Sequence, residues 1–529
     1  MTKQLLFLII IFLAINSSFS QELNVIWENR YGGTGKENLF KIQPNGNQGY
    51  IMGGYTTSPS SGDVSISTSG SSDFWVVNVN SEGQLIWEKS YGMIGGETLD
   101  DIVPLADGGY IIAGGTNMIT PTEMNDSQGI TKFLIYRISE DGEIIWEKML
   151  GGSGTDSLES IQIAPDGGIL VGGRTNSVDG DVQSRSGNEF EYWNFDFWVV
   201  KLNINGEIEW EKSYGESDYW DGLWHILAVD DGYILGGGTA RDLNGFSSSL
   251  NGQKNINIKK IDLEGNFIWE KIYGGSGNDA MTHLVQSDDG GYLIVSETDS
   301  IDGDVQSRID KDIIASDDKD CWVVKVDNNG ELLWEQYFGG FSYEIPFSAS
   351  KINNGDYTIV GGTRSGQSDG LDQGHFDFWV FNIDNSGNVN WDQNIGGNGS
   401  ESCTSIFQIS DTEYMLAGYT NSNNSGDVQS TPNGGDDFWI VKADLTPGLA
   451  TDNFVLPIFD MYPNPVSNQI TIQLNNSLEL ERINIYNTLG QLINSYSEKV
   501  IKTIDYSEGI YYVEVITNQG KSIKKLIVE

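Results

Sequence analysis

The sequence predicts an all-β protein, a seven-bladed β-propeller followed by a small antiparallel β-sandwich. A phrase of the form "DFWVV…G…WEK.YG" returns repeatedly between residues 24 and 444. Each unit holds four short runs of β-branched and aromatic residues, separated by turns rich in Gly, Asp and Asn. No segment has a sustained helical period. A unit of four strands repeated seven times favours a propeller.

The repeat can be counted from one tryptophan. The Trp of the "WEK" phrase recurs at intervals of 57 to 65 residues, at Trp27, Trp87, Trp146, Trp210, Trp269, Trp334 and Trp391. The third run of each unit, as in "FWVVKL", is apolar at nearly every position, which predicts a strand buried on both faces. The fourth run mixes Trp with Glu and Lys, which indicates an outer strand. The second run ends in "GG", which fits crowding near the axis.

The two ends of the repeat region predict how the ring closes. The last unit ends at "DFWIVKAD", residues 437–444, and no "WEK" run follows it. The chain instead begins with a spare one, "NVIWENRY", at residues 24–31. We predict that the spare strand completes blade 7, because closure removes exposed sheet edges. An open solenoid is the alternative, and it leaves both the spare and the missing strand unexplained.

The repeats resemble a known family. The phrase "W…YGGSGND…DGGY…G.T.S" is similar to that of secreted bacterial seven-bladed propeller proteins over residues 24–444. The fourth unit departs from it, because "NINIKKID" at residues 255–262 lacks the Phe-Trp pair. The resemblance implies a fold rather than an activity.

The N-terminus indicates export. Residues 1–20 carry a positive charge at Lys3, an apolar run over residues 5–15 and a small-x-small site ending at Ser20, the pattern of a secretory signal peptide. We expect a mature chain that starts at Gln21, with the propeller over residues 21–445. No later run is apolar enough for a membrane helix.

The composition excludes several classes of partner. The 529 residues include 75 acidic and 30 basic ones, a net charge of −45, which repels nucleic acids and anionic membranes. Such a surface is compatible with Ca²⁺, a cation that prefers oxygen ligands. Two cysteines, Cys321 and Cys403, exclude a disulfide framework. The three histidines are not at a metal-ligand spacing.

The composition changes at the C-terminus, after a predicted linker at residues 446–457. Residues 458–529 contain eight acidic and six basic residues, and the Trp-rich repeat is absent. Short alternating runs such as "QITIQL" and "IYYVEVI", separated by turns, predict a small antiparallel β-sandwich.

This tail closely resembles the type A C-terminal sorting domain of type IX (Por) secretion substrates. The resemblance rests on "YPNP", "NIYNTLGQLI", "GIYYVEV" and the basic end "GKSIKKLIVE". It implies a sorting signal that includes Tyr462, Pro463, Asn464, Pro465, Gly490, Gly509, Lys524 and Lys525. It also implies that the type IX machinery carries the chain across the outer membrane, to be released or held at the cell surface.

Two sets of acidic residues recur in the propeller. One follows each Gly-rich loop after "WEK", and we predict that it accepts hydrogen bonds from its own loop rather than forming a site. The other occurs in the phrase "DGDV", at Asp179, Asp181, Asp302 and Asp304. Closely spaced Asp and Gly can form a Ca²⁺ loop. An ordinary acidic turn is the alternative, because the phrase supplies only two ligands.

Aromatic residues outside the repeat positions predict a binding surface. Of 15 Trp, only Trp193, Trp220 and Trp224 lie outside the "WEK" and "DFW" phrases, and all three fall between blades 3 and 4. We predict that Tyr192, Trp193, Tyr219 and Trp220 form one exposed patch, whereas Trp224 is buried in the first strand of blade 4. Exposed aromatics suit sugar rings or a protein partner.

The sequence thus favours an exported binding module, with a surface glycan or a protein as its ligand. An extracellular glycan-active enzyme is the second hypothesis and a structural surface component the third. No nucleophile elbow, phosphate loop or metalloprotease helix occurs, so no catalytic residue is assigned. We expect a monomer with no nucleic-acid partner and no membrane span.

Overall fold

A computed structural model describes residues 21–118, 131–185, 194–215, 220–240, 254–308, 319–339, 343–364, 375–447, 459–474, 480–487, 492–504, 506–507, 509–517 and 520–528. These residues form β-strands and contain no helix. Contacts between Cα atoms divide the chain into two compact units, Leu23–Asp444 and a second unit that contains Leu445–Glu529. Each unit is described by itself.

The first unit contains seven four-stranded antiparallel sheets. Blade 1 consists of β2 (Glu37–Pro44), β3 (Tyr50–Thr56), β4 (Asp73–Val79) and β5 (Leu85–Tyr91). Blade 2 consists of β6 (Gly95–Pro104), β7 (Tyr110–Met118), β8 (Thr131–Ile138) and β9 (Ile144–Leu150). Blade 3 consists of β10 (Asp156–Ile163), β11 (Ile169–Thr175), β12 (Asp196–Leu202) and β13 (Ile208–Tyr214). Blade 4 consists of β14 (Asp221–Val229), β15 (Gly232–Thr239), β16 (Asn255–Ile261) and β17 (Phe267–Tyr273).

The remaining blades follow the same order. Blade 5 consists of β18 (Asp279–Gln286), β19 (Tyr292–Thr298), β20 (Asp320–Val326) and β21 (Leu332–Phe338). Blade 6 consists of β22 (Glu344–Lys351), β23 (Tyr357–Thr363), β24 (Asp377–Ile383) and β25 (Val389–Ile395). Blade 7 consists of β26 (Glu401–Gln408), β27 (Glu413–Thr420), β28 (Asp437–Pro447) and β1 (Gln21–Tyr31).

The seven first strands surround the axis of the ring. Each contacts the first strand of the next blade, and β26 contacts β2, so that the ring is continuous. The third strands are almost entirely buried and the fourth strands lie outermost. The predicted fold class and strand order are therefore confirmed. We call the face with the loops between second and third strands the loop face, and the opposite one the turn face.

The ring closes between the two ends of the repeat region. In blade 7, β1 is the outermost strand and lies beside β28. Glu28 accepts a hydrogen bond from Trp439 Nε1 at 2.7 Å, across 411 positions of the chain. Arg30 and Asp437 form a buried ion pair with an N–O distance of 3.7 Å. The structure thus has the expected pairing, and a ring with adjacent blades 1 and 7 is not an open solenoid.

Six of the seven outer strands contact the turn of the following blade through their Trp, and four of these also do so through a Tyr hydroxyl. Trp87 Nε1 donates to the Glu140 carbonyl at 3.1 Å, and the Tyr91 hydroxyl donates to the Gly142 carbonyl at 2.7 Å, both in the β8–β9 turn. Gly142 has a φ of 77°, and a Cβ at this position would lie 3.1 Å from the Trp87 ring. The turn therefore requires glycine for two reasons.

Blade 6 departs from the repeat where it meets the closing strand. Its phrase reads "WDQNI", with Gln393 in the place of the repeat Lys. Gln393 donates to the Leu23 carbonyl and accepts from the Leu23 N–H, both at 2.8 Å. In blades 1 and 4 this Lys pairs with the acid after the next turn, as Lys89 does with Glu143 at 2.5 Å. Blade 7 has no such turn, because its outer strand comes from the other end of the chain.

The "GG" of the second strand has a cause other than crowding at the axis. In all seven blades the first strand carries a β-bulge at this level. In six blades a second-strand glycine lies opposite the bulge, and a first-strand carbonyl is so close that a Cβ at Gly173 would lie 1.9 Å from the Ser157 oxygen. Blade 5 has Ser296 at this position. The close carbonyl therefore accounts for the glycine in six of the seven blades.

The second unit is a two-sheet sandwich, as predicted. One sheet contains β29 (Phe459–Tyr462), β30 (Gln469–Leu474) and β33 (Val500–Lys502). The other contains β31 (Leu480–Asn487), β32 (Leu492–Tyr496), β34 (Gly509–Thr517) and β35 (Gly520–Val528). Apolar side chains from both sheets form its core. The proposed linker at residues 446–457 lies outside the described residues from 448 onward.

The closure of the ring predicts that replacing Arg30 lowers the stability of the propeller strongly. Arg30→Met leaves Asp437 buried without its partner, a change that typically costs about 3–5 kcal/mol. The free energy of unfolding in urea should fall by roughly 3 kcal/mol. Tryptophan fluorescence measures the propeller alone, because all 15 Trp lie between residues 27 and 439.

Lys36→Met is the matched control. Lys36 pairs with Asp436 at 3.5 Å, and 64% of its side chain is exposed, so its loss should cost less than about 1 kcal/mol. Equal losses in the two variants would contradict the importance of the buried pair at the seam.

Candidate functional site

The acidic residues of the Gly-rich loops serve the fold. All are at most 1% exposed: Glu37, Glu97, Asp156, Asp221, Asp279, Glu344 and Glu401. In blade 5, Asp279 accepts hydrogen bonds from Gly275 N–H at 2.8 Å and from Ser300 Oγ at 2.9 Å. Burial raises the pKa of Asp279 to about 6. A loop that surrounds its own carboxylate in this way leaves it unavailable to a ligand.

The "DGDV" carboxylates bind the same Gly-rich loops. In blade 5, Asp304 accepts from Gly274 N–H at 3.1 Å and Asp302 accepts from Ser276 N–H at 2.7 Å. In blade 3, Asp181 and Asp179 bond Gly151 and Ser153 in the same way, at 3.1 and 2.6 Å. The four predicted calcium ligands thus each stabilise the contact between two loops.

Serine does the same work where the first Asp is missing. In blade 1, Ser61 Oγ accepts from Thr34 N–H at 2.9 Å, and in blade 7 Ser425 Oγ accepts from Asn398 N–H at 2.9 Å. A neutral hydroxyl therefore suffices for the contact. Among the described residues, no group of three or more His, Cys, Asp or Glu side chains is placed to hold a metal ion. Calcium binding by these loops stays a prediction.

The bulge residues of the first strands lie on the wall of the axial channel, the space that the seven first strands enclose. All seven are half-buried: Phe40, Asp100, Glu159, Trp224, Thr282, Phe347 and Thr404. Five residue types occupy the seven positions, although the backbone around them repeats. The channel wall therefore varies in chemistry where the fold does not require one residue type.

Two of these residues are carboxylic acids on adjacent strands. Burial raises the pKa of Glu159 to about 7, although the positive charge of Arg174 acts in the opposite direction. Burial and the charge of Glu159 hold the pKa of Asp100 well above its usual value. Arg174 lies 3.9 Å from Glu159, whose side chain keeps 24% of its surface accessible. The pair can hold a proton near neutral pH at a position that solvent reaches.

The next layer of the channel connects the blades. Asp101 accepts from Ile161 N–H at 2.9 Å, and Lys41 lies 3.6 Å from its carboxylate. Across the channel, the rings of His225 and His283 lie 4.5 Å apart. Burial, with a smaller contribution from Lys41, lowers the pKa of His225 to about 3. Both histidines are neutral at physiological pH, so they act as packing groups.

Cations lie over aromatic rings where the channel opens on the loop face. Lys254 Nζ lies 4.1 Å from the centre of the Trp220 ring. The Arg174 guanidinium lies 5.7 Å from the Phe195 ring, and that of Arg364 lies 4.3 Å from the Phe376 ring. We call Arg174, Lys254, Arg364 and Lys319 the mouth cations. The first three lie over aromatic rings, whereas Lys319 pairs with Glu297. The sequence alone favours solvated loop positions for Arg174 and Arg364 and assigns no role to Lys254 and Lys319, although their departure from the repeat is a usable signal.

The predicted aromatic patch is only partly within the described residues. Tyr192, Trp193 and Tyr219 lie outside them. Trp220 is half-buried, with its ring 5.6 Å from that of Trp224. A Cβ at Gly222 would lie 2.8 Å from the Trp220 ring, so the ring rests on backbone and supports Lys254. Trp224 lies in the first strand of blade 4, as expected, but it is half-buried on the channel wall.

In the tail, the "YPNP" segment covers a sheet edge. Asn464 Nδ2 donates to the Lys525 carbonyl, and Asn464 Oδ1 accepts from Ile527 N–H, both at 2.8 Å. Lys524 Nζ lies 5.5 Å from the Phe459 ring. Tyr462, Pro463 and Pro465 are exposed, Gly509 begins β34, and Gly490 lies outside the described residues.

Comparison with known families identifies this tail. Residues 460–529 match the family described as "Secretion system C-terminal sorting domain". The chain is accordingly secreted across the outer membrane to the cell surface or the extracellular space. The described part of the chain contains no helix long and apolar enough to cross a membrane. The signal peptide predicted at residues 1–20 lies outside the described residues.

Several solved structures resemble this chain and share little sequence with it. The WD40 domain of Pan2 from Neurospora crassa is 12% identical, with 80% of this chain and 92% of that one covered and a TM-score of 0.43. A protein of unknown function from Dyadobacter fermentans is 10% identical, with coverage of 80% and 99% and a TM-score of 0.40. An α-L-arabinanase from Penicillium chrysogenum is 11% identical, with coverage of 65% and 92% and a TM-score of 0.39. A search of curated proteins gives no match.

The loop contacts predict that Asp302 tolerates serine. Asp302→Ser keeps an acceptor for Ser276 N–H, as in blades 1 and 7, and should lower the free energy of unfolding by less than about 1 kcal/mol. Asp302→Ala leaves that N–H without its partner and should cost about 1–3 kcal/mol. Urea unfolding followed by Trp fluorescence compares them. A calcium-dependent rise in the melting temperature that Asp302→Ser abolishes would instead support a metal site.

The sorting tail predicts a defect in export. Deleting residues 458–529 should leave folded propeller in the periplasm, as measured by cell fractionation and Trp fluorescence. Asn464→Ala, which uncovers the edge of β35, should reduce secretion, whereas Asn494→Ala, in an exposed pair with Tyr496, should not. Normal secretion of the deleted chain would contradict the role of the tail.

Proposed function

We propose that this exported propeller is a binding module that takes an extracellular glycan at the loop-face mouth of its axial channel. The proposal rests on the positions at which the residues differ between blades. Residues common to the blades are used by the fold: the "WEK" Trp, the Gly-loop acids and the "DGDV" carboxylates all have structural partners. Residues specific to single blades gather on the channel wall and at its mouth.

The chemistry of these blade-specific residues suits a polyhydroxylated ligand. Glu159, with its pKa near neutrality, can both donate and accept hydrogen bonds, as sugar hydroxyls do. Trp224 and Phe347, half-buried on the same wall, offer flat apolar surface beside polar groups. Trp220, half-buried with its ring 5.6 Å from that of Trp224, adds to this surface. Tyr192, Trp193 and Tyr219 lie outside the described residues, and their part in binding stays a prediction from the sequence.

The binding hypothesis is tested with a panel of extracellular polysaccharides in affinity electrophoresis. At least one should retard the mature protein. The double variant Trp193→Ala/Trp220→Ala should weaken that interaction by about 2 kcal/mol, with a smaller effect on unfolding. Phe267→Ala is the control, because Phe267 is 56% exposed near the turn-face end of β17 and should leave binding unchanged.

Two results would contradict the hypothesis. One is the absence of retardation by any member of the panel. The other is a large loss of stability in the Trp double variant with binding intact, which would make these aromatics part of the core.

A glycan-active enzyme is the second candidate, because two carboxyl groups with raised pKa values lie on adjacent strands of the channel. Glycoside hydrolysis commonly uses one protonated and one ionised carboxyl group, and Asp100 and Glu159 offer such a pair. Reducing-sugar release from the same panel, abolished in Glu159→Gln, would favour this candidate. Binding without turnover would favour the module.

A further inference from the structure

The mouth cations contrast with the acidity of the molecule. The chain has 30 basic and 75 acidic residues, and most described lysines contact a carboxylate, as Lys271 does with Glu331 at 2.7 Å. At the mouth, however, Arg174, Lys254, Lys319 and Arg364 occupy four consecutive blades, 3 to 6. Burial lowers the pKa of Lys254, and the nearby positive charges of Arg174 and Lys319 lower it further.

The carboxylates in the described part of the mouth do not balance this charge. Glu297 pairs with Lys319. Glu159 and Asp100, whose pKa values are raised, carry less than a full negative charge each. Among the described residues, no carboxylate lies within ion-pair distance of Lys254, whose charge instead rests on the Trp220 ring at 4.1 Å. Over the residues that the structure describes, the balance of charge at the mouth is therefore positive.

Aromatic rings hold the cations in place rather than neutralise them. Trp220 rests on Gly222, which fixes the ring under Lys254, and Phe376 lies 4.3 Å from the Arg364 guanidinium. A cation on an aromatic face keeps its charge and its remaining N–H donors for another partner. Such an arrangement is preorganised for an anionic group.

We propose that the glycan bound at the mouth is an acidic polysaccharide, whose carboxylate or sulfate groups contact Lys254 and the cations of blades 3, 5 and 6. This inference rests on the proposed glycan-binding function. A nucleic acid is the alternative anionic polymer. It lacks the several ring hydroxyls per unit that an acidic sugar chain offers to Glu159 beside its charged groups.

The experiment compares polymers that differ only in charge. Isothermal titration of the full mature chain uses polygalacturonate against its methyl ester, alginate against its propylene glycol ester, and dextran sulfate against dextran. At least one anionic member should bind roughly tenfold more tightly than its neutral partner, as loss of a charge-assisted contact implies. Lys254→Gln should weaken that binding by about tenfold and leave the neutral polymer unaffected.

The controls separate this inference from the function on which it rests. Lys351→Gln removes a cation that pairs with Asp288 at the turn-face end of β22 and should change nothing, and Lys254→Arg should keep the preference. If Lys254→Gln does not fold, as judged by Trp fluorescence, Arg364→Gln replaces it, since Arg364 is exposed. Equal binding of both members of every pair would overturn the acidic ligand while glycan binding stands.

Two further outcomes are decisive. Binding of no polysaccharide at all would overturn the proposed function together with this inference. Tighter binding of a poly(dT) oligonucleotide than of any acidic polysaccharide would make the ligand a nucleic acid and the inference wrong.

Discussion

The ring depends on the contact that six of the seven outer strands make with the turn of the following blade. The Trp ring lies on a turn glycine that has a positive φ. In four of these contacts a Tyr hydroxyl also donates to the carbonyl of that glycine, as Tyr273 does with Gly330 at 2.6 Å. The intervening Glu faces its own blade, where Glu335 accepts from Trp322 Nε1 at 2.8 Å. One phrase of five residues thus joins a blade to itself and to its neighbour.

This constraint explains why the seam lies where it does. If all four strands of blade 7 came from the C-terminal end of the repeat region, blades 1 and 7 would be joined only by side-chain packing. With β1 in blade 7, Glu28 bonds Trp439 on the preceding strand, while the Tyr31 hydroxyl bonds the Gly83 carbonyl of blade 1. Arg30 adds a buried partner for Asp437. The N-terminal strand therefore makes the contacts of an ordinary outer strand in both directions.

The sequence predicted the fold well because its repeats expose what the backbone requires. The strand order, the role of the Gly-loop acids and the sorting tail could all be read from recurring or terminal patterns. The β-bulge could not, since "GG" alone does not distinguish a close carbonyl from a crowded axis. The candidate site was predicted less well. Trp220 was identified as an aromatic surface, but its ring supports Lys254, and only the fold shows that Asp100 and Glu159 are neighbours.

A repeat protein separates fold from function more cleanly than other folds do. Seven copies of one backbone position act as controls for one another. The position of Arg174 in blade 3 is occupied by Gly115 in blade 2 and by Tyr55 in blade 1. The arginine is therefore not needed for the strand to form. A half-buried cation or carboxyl group at such a position costs desolvation free energy. Because the other blades fold without that cost, its presence in one blade favours a role in binding.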